Sequence, residues 1–507
     1  MATDRYGNTL HACTPEGAGH LDRAVEALLF FRPEVTPAVE DALAASPDSP
    51  DAQAFAVYLG VLGTEHTAAA TARARFARWS AGRDTRSLPA RERLHLAAAG
   101  ACLAGDLHGA GDLLEELSLA YPRDALALFA GHQLDFLTGD AVRLRDRIGG
   151  ALSAWGRADE HRGPLLGMYA FGLEESGHYR RAEEAGAAAL ERHPRDVWAV
   201  HAVTHTYEMQ GRIAEGVAFL DARAADWTRG NYLTVHNWWH YALYALEAGA
   251  EETALRVYDA AVHHEESAGL AMELLDAAAL LWRLHLAGRE EPERWARLAD
   301  AWAERADPPF YAFNDAHAVM AYVGAGRIAR AEALVADRRR WLADDGSPRD
   351  RSNRVMTAEI GLPVCEALVA QGRGDHATVV ELLWPVRRRL QVFGGSHAQR
   401  DAVQRTLLES ALAAGDHDRA RLLLSERDGL RPDSPYNWLG RARLADAIGD
   451  AALAAVARER AEDARKGLRP TAPGLTGVPE ADPAGVPEAR PTGVPGTGSA
   501  DVSETGL

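Results

Sequence analysis

Five side chains stand out by type and spacing. His201 and His205 lie four residues apart in WAVHAVTHTYEMQGR (198–212), Glu208 follows one helical turn later, and His236 and His240 repeat the step in YLTVHNWWHYALYALEAG (232–249). Positions four apart share one face of a helix, so each pair aims two imidazoles the same way. Neutral imidazoles on two helices with a carboxylate nearby suit zinc, iron or manganese. They equally suit proton transfer, with Glu208 as base or ligand. A structural reading competes: histidines four apart also hydrogen-bond across helices, and Trp238 and Trp239 beside them mark a packed interior. The HExxH arrangement of many metalloproteases is absent, because Ala202 follows His201 and Asn237 follows His236. Two further stretches carry candidates for catalytic roles. FNDAHAVMAY supplies Asp315 and His317, and GGSHAQRD supplies His397, Arg400 and Asp401, with Ser396 placed to cap the helix that follows. The run His263, His264, Glu265, Glu266 reads as a solvated helix end. Neither a phosphate-cradling GxxxxGK loop nor a GxSxG nucleophile elbow occurs.

The elements that must position these residues show in the glycines. Ten apolar helix patterns run into a glycine, at 105, 139, 177, 211, 249, 288, 326, 374, 415 and 449, spaced by 34 to 48 residues. Most are followed by a polar or basic residue and, about five positions on, by a small one. A period near 34 with this turn chemistry predicts stacked helix–turn–helix units, an all-α solenoid of about ten. With each glycine at position fifteen of a 34-residue unit, Ala110, Ala182, Gly216, Ala420 and Ala454 fall where the two helices of a unit cross, Leu144 being the exception. Small residues there let backbones approach. Pro194 and Pro432 sit at matching places near unit ends. The longer spacings predict longer helices or loops.

The chain divides into a less regular segment at 1–53, the repeat array at 54–467 and a Pro/Gly-rich tail at 468–507, where Gly-Val-Pro recurs. Two short helices are predicted at 21–31 and 37–45, and the tail is expected to be disordered. With 507 residues, 47% of them apolar, the chain can bury a large elongated core, while 7% aromatics and no alternating β-branched runs argue against sheet. A net charge of −18 argues against a nucleic-acid partner. The clearest basic run, Arg338 to Arg340, reads as structural, against solvent and helix-end carbonyls. Three distant cysteines, no signal peptide and no run of about 18 apolar residues predict a cytoplasmic, non-membrane protein.

The units resemble tetratricopeptide repeats. That resemblance implies that first helices line a concave groove, with positions 2, 5, 9 and 12 pointing inward. His201, His205 and Glu208 occupy 5, 9 and 12, His236 occupies 2, and His240 falls at the less favourable 6. HAVTHTYEMQGR, VHNWWHYALY, DAAALLWRL (276–284) and GGSHAQRD together resemble the tetratricopeptide repeat protein 38 family, whose molecular role the motifs do not define. Two functions are therefore expected. The first is a helical-repeat protein holding a peptide or small polar ligand in a histidine-lined groove. The second is an enzyme in which His201, His205, His236 and His240 bind a divalent transition metal or move protons with Glu208, His317, His397 and Asp401.

Overall fold

A computed structural model describes residues 2–305, 308–344, 350–468, 470–472 and 475. Apart from a two-stranded hairpin pairing Ala2–Thr3 with Thr9–Leu10, the regular elements of the described residues are helical. The protein is an all-α solenoid of antiparallel helical hairpins.

The turn glycines make the hairpins. All ten have φ between +70° and +83°, the left-handed region in which an L side chain is strained. In each turn the next residue donates its backbone N–H back to the helix just ended, as Asp106 does to Ala101 (3.0 Å), Arg212 to Tyr207 (2.9 Å) and Asp416 to Ala411 (2.9 Å). Aspartates in that next position also start the following helix: the Asp106, Asp140, Asp375, Asp416 and Asp450 carboxylates accept from the N–H three residues on. At Gly139 a second constraint acts, because the Gln391 carbonyl fills the space a Cβ would need.

Burial sorts the helices into two layers. In the first helix Val197–Met209 twelve of thirteen residues are buried, whereas its outer neighbour Tyr179–Arg192 buries only Ala182, Gly186, Ala189 and Leu190. First helices thus form an inner layer and second helices an amphipathic outer one. Where the glycine spacing lengthens, the chain inserts the short helix Ala224–Trp227, or single π-turns at Tyr258–Val262 and Thr357–Gly361. Helices Pro15–Leu29 and Val35–Ala45 of the first segment, and Pro50–Leu62, which runs from it into the array, all share one continuous core with the rest.

The inner layer does not stay open. Tyr232 donates its backbone N–H to the Phe31 carbonyl (2.9 Å), Asn314 donates to the Thr64 carbonyl (3.0 Å), and Tyr311 donates to the Leu137 carbonyl (3.0 Å). Trp282 reaches Thr406 (2.8 Å), the His397 N–H reaches Glu175 (2.9 Å) and Arg431 reaches Glu208 (3.2 Å). The concave face becomes an interior. Arg338, expected against solvent and helix-end carbonyls, instead sits 1% exposed and clasps Asp315 with two bonds of 2.8 and 2.9 Å. The tail lies outside the described residues apart from 468, 470–472 and 475. Of these Leu468 and Ala472 are buried, with the Ala472 N–H donated to the Tyr241 hydroxyl (2.8 Å). No helix among the described residues is long and apolar enough to cross a membrane.

Candidate metal centre

Two adjacent inner helices, Val197–Met209 and Thr234–Glu247, bring the four central histidines together. Their rings form a square, with centroids 4.4 Å apart for His201–His205, 4.3 Å for His205–His240, 4.8 Å for His240–His236 and 4.8 Å for His236–His201. One ring nitrogen from each lies within 4.8 Å of the others. A tetrahedral ion with metal–nitrogen bonds of about 2.05 Å would hold such nitrogens about 3.3 Å apart, so a small inward rotation of the rings closes the set. His201, His205 and His240 are buried, and the His236 side chain keeps 16% of its surface. His240, unfavourably placed by repeat register, takes a full share in the square.

Carboxylates stand behind three of the rings. Asp276 holds His236 Nδ1 at 2.8 Å, Glu208 holds His240 Nδ1 at 2.8 Å, and Glu174 lies 3.5 Å from His205 Nδ1. The Asp276 and Glu208 bonds keep the proton on Nδ1 of His236 and His240, turn the Nε2 lone pairs inward and raise their basicity, as in the carboxylate–histidine pairs of metal sites, whereas His205 Nδ1 makes no hydrogen bond. Glu208 therefore stands behind His240 rather than at the centre of the square, its second oxygen accepting from Arg431.

Several nitrogens of the square have nothing to bond. His205 Nε2, His240 Nε2 and His201 Nδ1 are fully buried and unpartnered, as are both oxygens of Glu174. His201 Nε2 and His236 Nε2 face each other at 3.0 Å. A buried polar atom without a partner costs about 1–3 kcal/mol, and here several share one small space. Burial, then the neighbouring rings, holds His201, His205 and His240 well below the ordinary imidazole range, so they are neutral as metal ligands must be. Burial first, and then Glu175 and Glu208, pushes the Glu174 carboxyl well above its usual range. Only a nearby cation would make it comfortable as an anion.

The remaining candidates lie elsewhere. His397 pairs with Glu175 at 3.0 Å, and Arg400 reaches the same oxygen at 3.3 Å. Glu174, Glu175 and His397 form a second group beside the square, with ligand-type atoms also within 4.8 Å of one another. Asp401 is the hub of an arginine network, contacting Arg405 (2.7 Å), Arg427 (2.6 Å), Arg431 (3.3 Å) and Arg283 (3.9 Å). Burial alone would raise its pKa, but those four guanidinium groups outweigh it and hold the carboxylate well below its usual range. His317 bonds only its own helix, Nδ1 to the Phe313 carbonyl at 2.8 Å, and Asp315 is committed to Arg338. The structure thus joins His201, His205, His236 and His240, sets Glu208 behind them, links Asp401 to Glu208 through Arg431, and leaves His317 apart. The His263–Glu266 run is mixed: His263 is buried, and Glu265 and Glu266 are exposed.

A cavity of about 440 Å³ opens onto this square from the side of His201 and His236. Its walls are chiefly apolar, including Phe31, Phe129, Phe136, Trp198, Val235 and Met272, and Phe31 stacks flat on Trp198 at 4.8 Å.

Sequence reasoning missed Glu174, Asp276 and Arg431. Glu174 was within reach, since it stands three residues before Gly177 as Glu208 stands three before Gly211. Asp276 opens DAAALLWRL, but nothing local marks it as a histidine partner. Arg431 arrives 223 residues after Glu208, and no pattern in the chain announces that contact.

No protein-family model matches the chain. Among solved structures, the chain is similar to the complex described as "Structure of Naa15/Naa10 bound to HypK-THB", at 14% identity over 90% of this chain and 84% of that one, with a TM-score of 0.22. At that score the likeness bears on neither architecture nor activity. The solenoid assignment rests on the helices and turns themselves.

Proposed function

We propose that this closed helical-repeat protein is a metal-dependent enzyme, with His201, His205, His236 and His240 as ligands of a divalent transition metal. The observation that carries this reading is the concentration of buried, unpartnered imidazole nitrogens in one square, three of whose rings have carboxylates behind them. Four neutral ligands leave the ion its full charge, and release of His201, the one ring with no carboxylate behind it, would open the position that polarisation of a substrate oxygen or activation of bound water requires. His201 has no carboxylate behind it and faces the cavity with His236, so this is the side from which substrate approaches. The segments that suggest the tetratricopeptide repeat protein 38 family are the ones that supply His201, His205, His236, His240, Asp276 and His397, and membership of that family belongs to the same reading. So does a cytoplasmic location, with Cys13, Cys102 and Cys365 all unpaired.

A peptide or small polar ligand lying in an open groove is less well supported, because three of the four histidines are at most 2% exposed and the space that reaches the square is mainly apolar. Elemental analysis of the purified full-length chain tests the proposal. About one transition-metal ion per chain is expected, falling at least tenfold in H205A and H240A and much less in H201A. A wild-type chain that neither co-purifies with nor takes up zinc, iron, manganese, cobalt, nickel or copper would sink it.

A further inference from the structure

The cavity beside the square has properties that narrow its ligand. It holds about 440 Å³, within the range of small-molecule sites, and no arginine or lysine lines it. Its acidic neighbours, Glu65, Glu273 and Asp276, oppose an anion. Two of these are already engaged: Glu65 accepts from the Ala271 N–H (2.7 Å) and pairs with Arg305 (2.5 Å), and Glu273 accepts from the Leu270 N–H (3.4 Å). Asp276 differs. One oxygen holds His236, while Oδ1 is buried and unpartnered, on a residue that lines the cavity. His201 Nδ1, also unpartnered, belongs to a ring that lines the same space. At the outer end stand the exposed Thr36, Ala68, Tyr232 and Leu270. The space therefore runs from a solvent-facing mouth between apolar walls to an inner end where Asp276 Oδ1 lacks a donor and Gln399 brings an amide.

We infer that the cavity takes an uncharged, largely apolar small molecule with a hydroxyl at one end, which enters body-outward and donates to Asp276 Oδ1. As a substrate class, this rests on the metal-centre reading, because the hydroxyl oxygen would then lie beside His201 and His236, where the ion sits. A cationic head would meet the metal's charge there. An anionic head would meet Asp276, whose free oxygen needs a donor and not a second acceptor. Burial of the apolar body supplies most of the affinity and the single polar contact fixes orientation.

The test uses the full-length chain, as purified and after treatment with chelator. N-phenyl-1-naphthylamine serves as a neutral fluorescent reporter, displaced by decan-1-ol, decanoate or decylammonium. The reporter is expected to brighten on binding, and decan-1-ol is expected to displace it at concentrations at least tenfold lower than decanoate or decylammonium in the as-purified protein. A68W, at the exposed mouth, and L62W, at a half-buried wall position, should each weaken reporter binding at least tenfold. Equal displacement by all three, preference for either ion, or two tryptophan variants that bind like the parent would overturn the inference. Metal content measured on the same samples keeps the two readings apart. Alcohol-selective binding in a chain without metal would leave the ligand class standing and remove the enzyme, whereas metal without reporter binding would do the reverse.

Discussion

Two buried polar clusters sit in the same inner layer, and they are built on opposite principles. Around Asp401, four arginines face Asp401, Glu247 and Glu208, with contacts such as Arg405–Glu247 at 2.6 Å and Arg427–Asp401 at 2.6 Å. Opposite charges meet, and burial is offset by charge-assisted bonds. Around His205, like meets like: four imidazoles turn nitrogens toward one another, and the carboxylates stand behind them. The first cluster is satisfied within itself apart from one Arg427 nitrogen. In the second, several nitrogens have no partner within the protein. The difference teaches that burial alone does not separate structure from function, whereas the balance of partners does.

The largest effect expected from breaking this contrast is at the hub. D401N should lower unfolding free energy by about 3–5 kcal/mol in urea titration, because it strands several buried guanidinium groups, while metal per folded chain stays unchanged. A loss below about 1 kcal/mol would mean that the hub is not the self-sufficient cluster described.

Acid should separate the clusters next. His317, a fully buried ring with one nitrogen bonded to Phe313, is pushed down to about 4, chiefly by burial and with some help from Arg283. The unfolded ring takes a proton near 6.5 and the folded ring does not, so stability is full above that pH and declines as pH falls toward 4, by about 3 kcal/mol for this group. Asp401, held low, keeps its contribution until far more acidic pH. Thermal melts of H317F between pH 7 and pH 4 should show a shallower decline than the parent, and parallel curves would refute the assignment.

The carboxylates behind the rings sharpen the comparison further. D276N should weaken metal affinity about 10–100-fold, read by competition with a chromogenic chelator, with little change in fold. The smallest effect is the most discriminating. In chelator-treated protein H205L should leave stability within about 1 kcal/mol of the parent or raise it, since it removes an unpartnered buried group. In metal-loaded protein the same variant should forfeit the stabilisation that ligand binding confers. A heavy loss in the metal-free state would place His205 with the structural cluster instead.

The architecture was largely legible in the sequence, because each hairpin is written locally: a left-handed glycine, a capping residue after it, and a small residue at the crossing. The stripe of His201, His205 and Glu208 was legible for the same reason, being set by helix period and repeat register. The chemistry of the site was not, since it depends on contacts that the repeat does not encode. Glu208, expected as base or ligand, bonds His240 and Arg431. His317 and Asp401 looked like companions of the square in one dimension, yet one bonds its own helix and the other anchors arginines. The open groove was an expectation of the resemblance to tetratricopeptide repeats. Its closure depends on pairs such as Asn314 with Thr64, which no local pattern reveals.

That closure has a consequence for how the molecule is made. An open repeat array gains stability from nearest neighbours and can fold from one end as it is synthesised. Here Glu175 waits for His397, and Glu208 waits for Arg431, more than 200 residues downstream. During translation the histidine square is exposed and unfinished until the closing helices emerge from the ribosome. Such long-range closure slows folding and ties the ends of the chain into one cooperative transition. The surroundings of the histidine square are thus completed only when partners more than 200 residues downstream are in place.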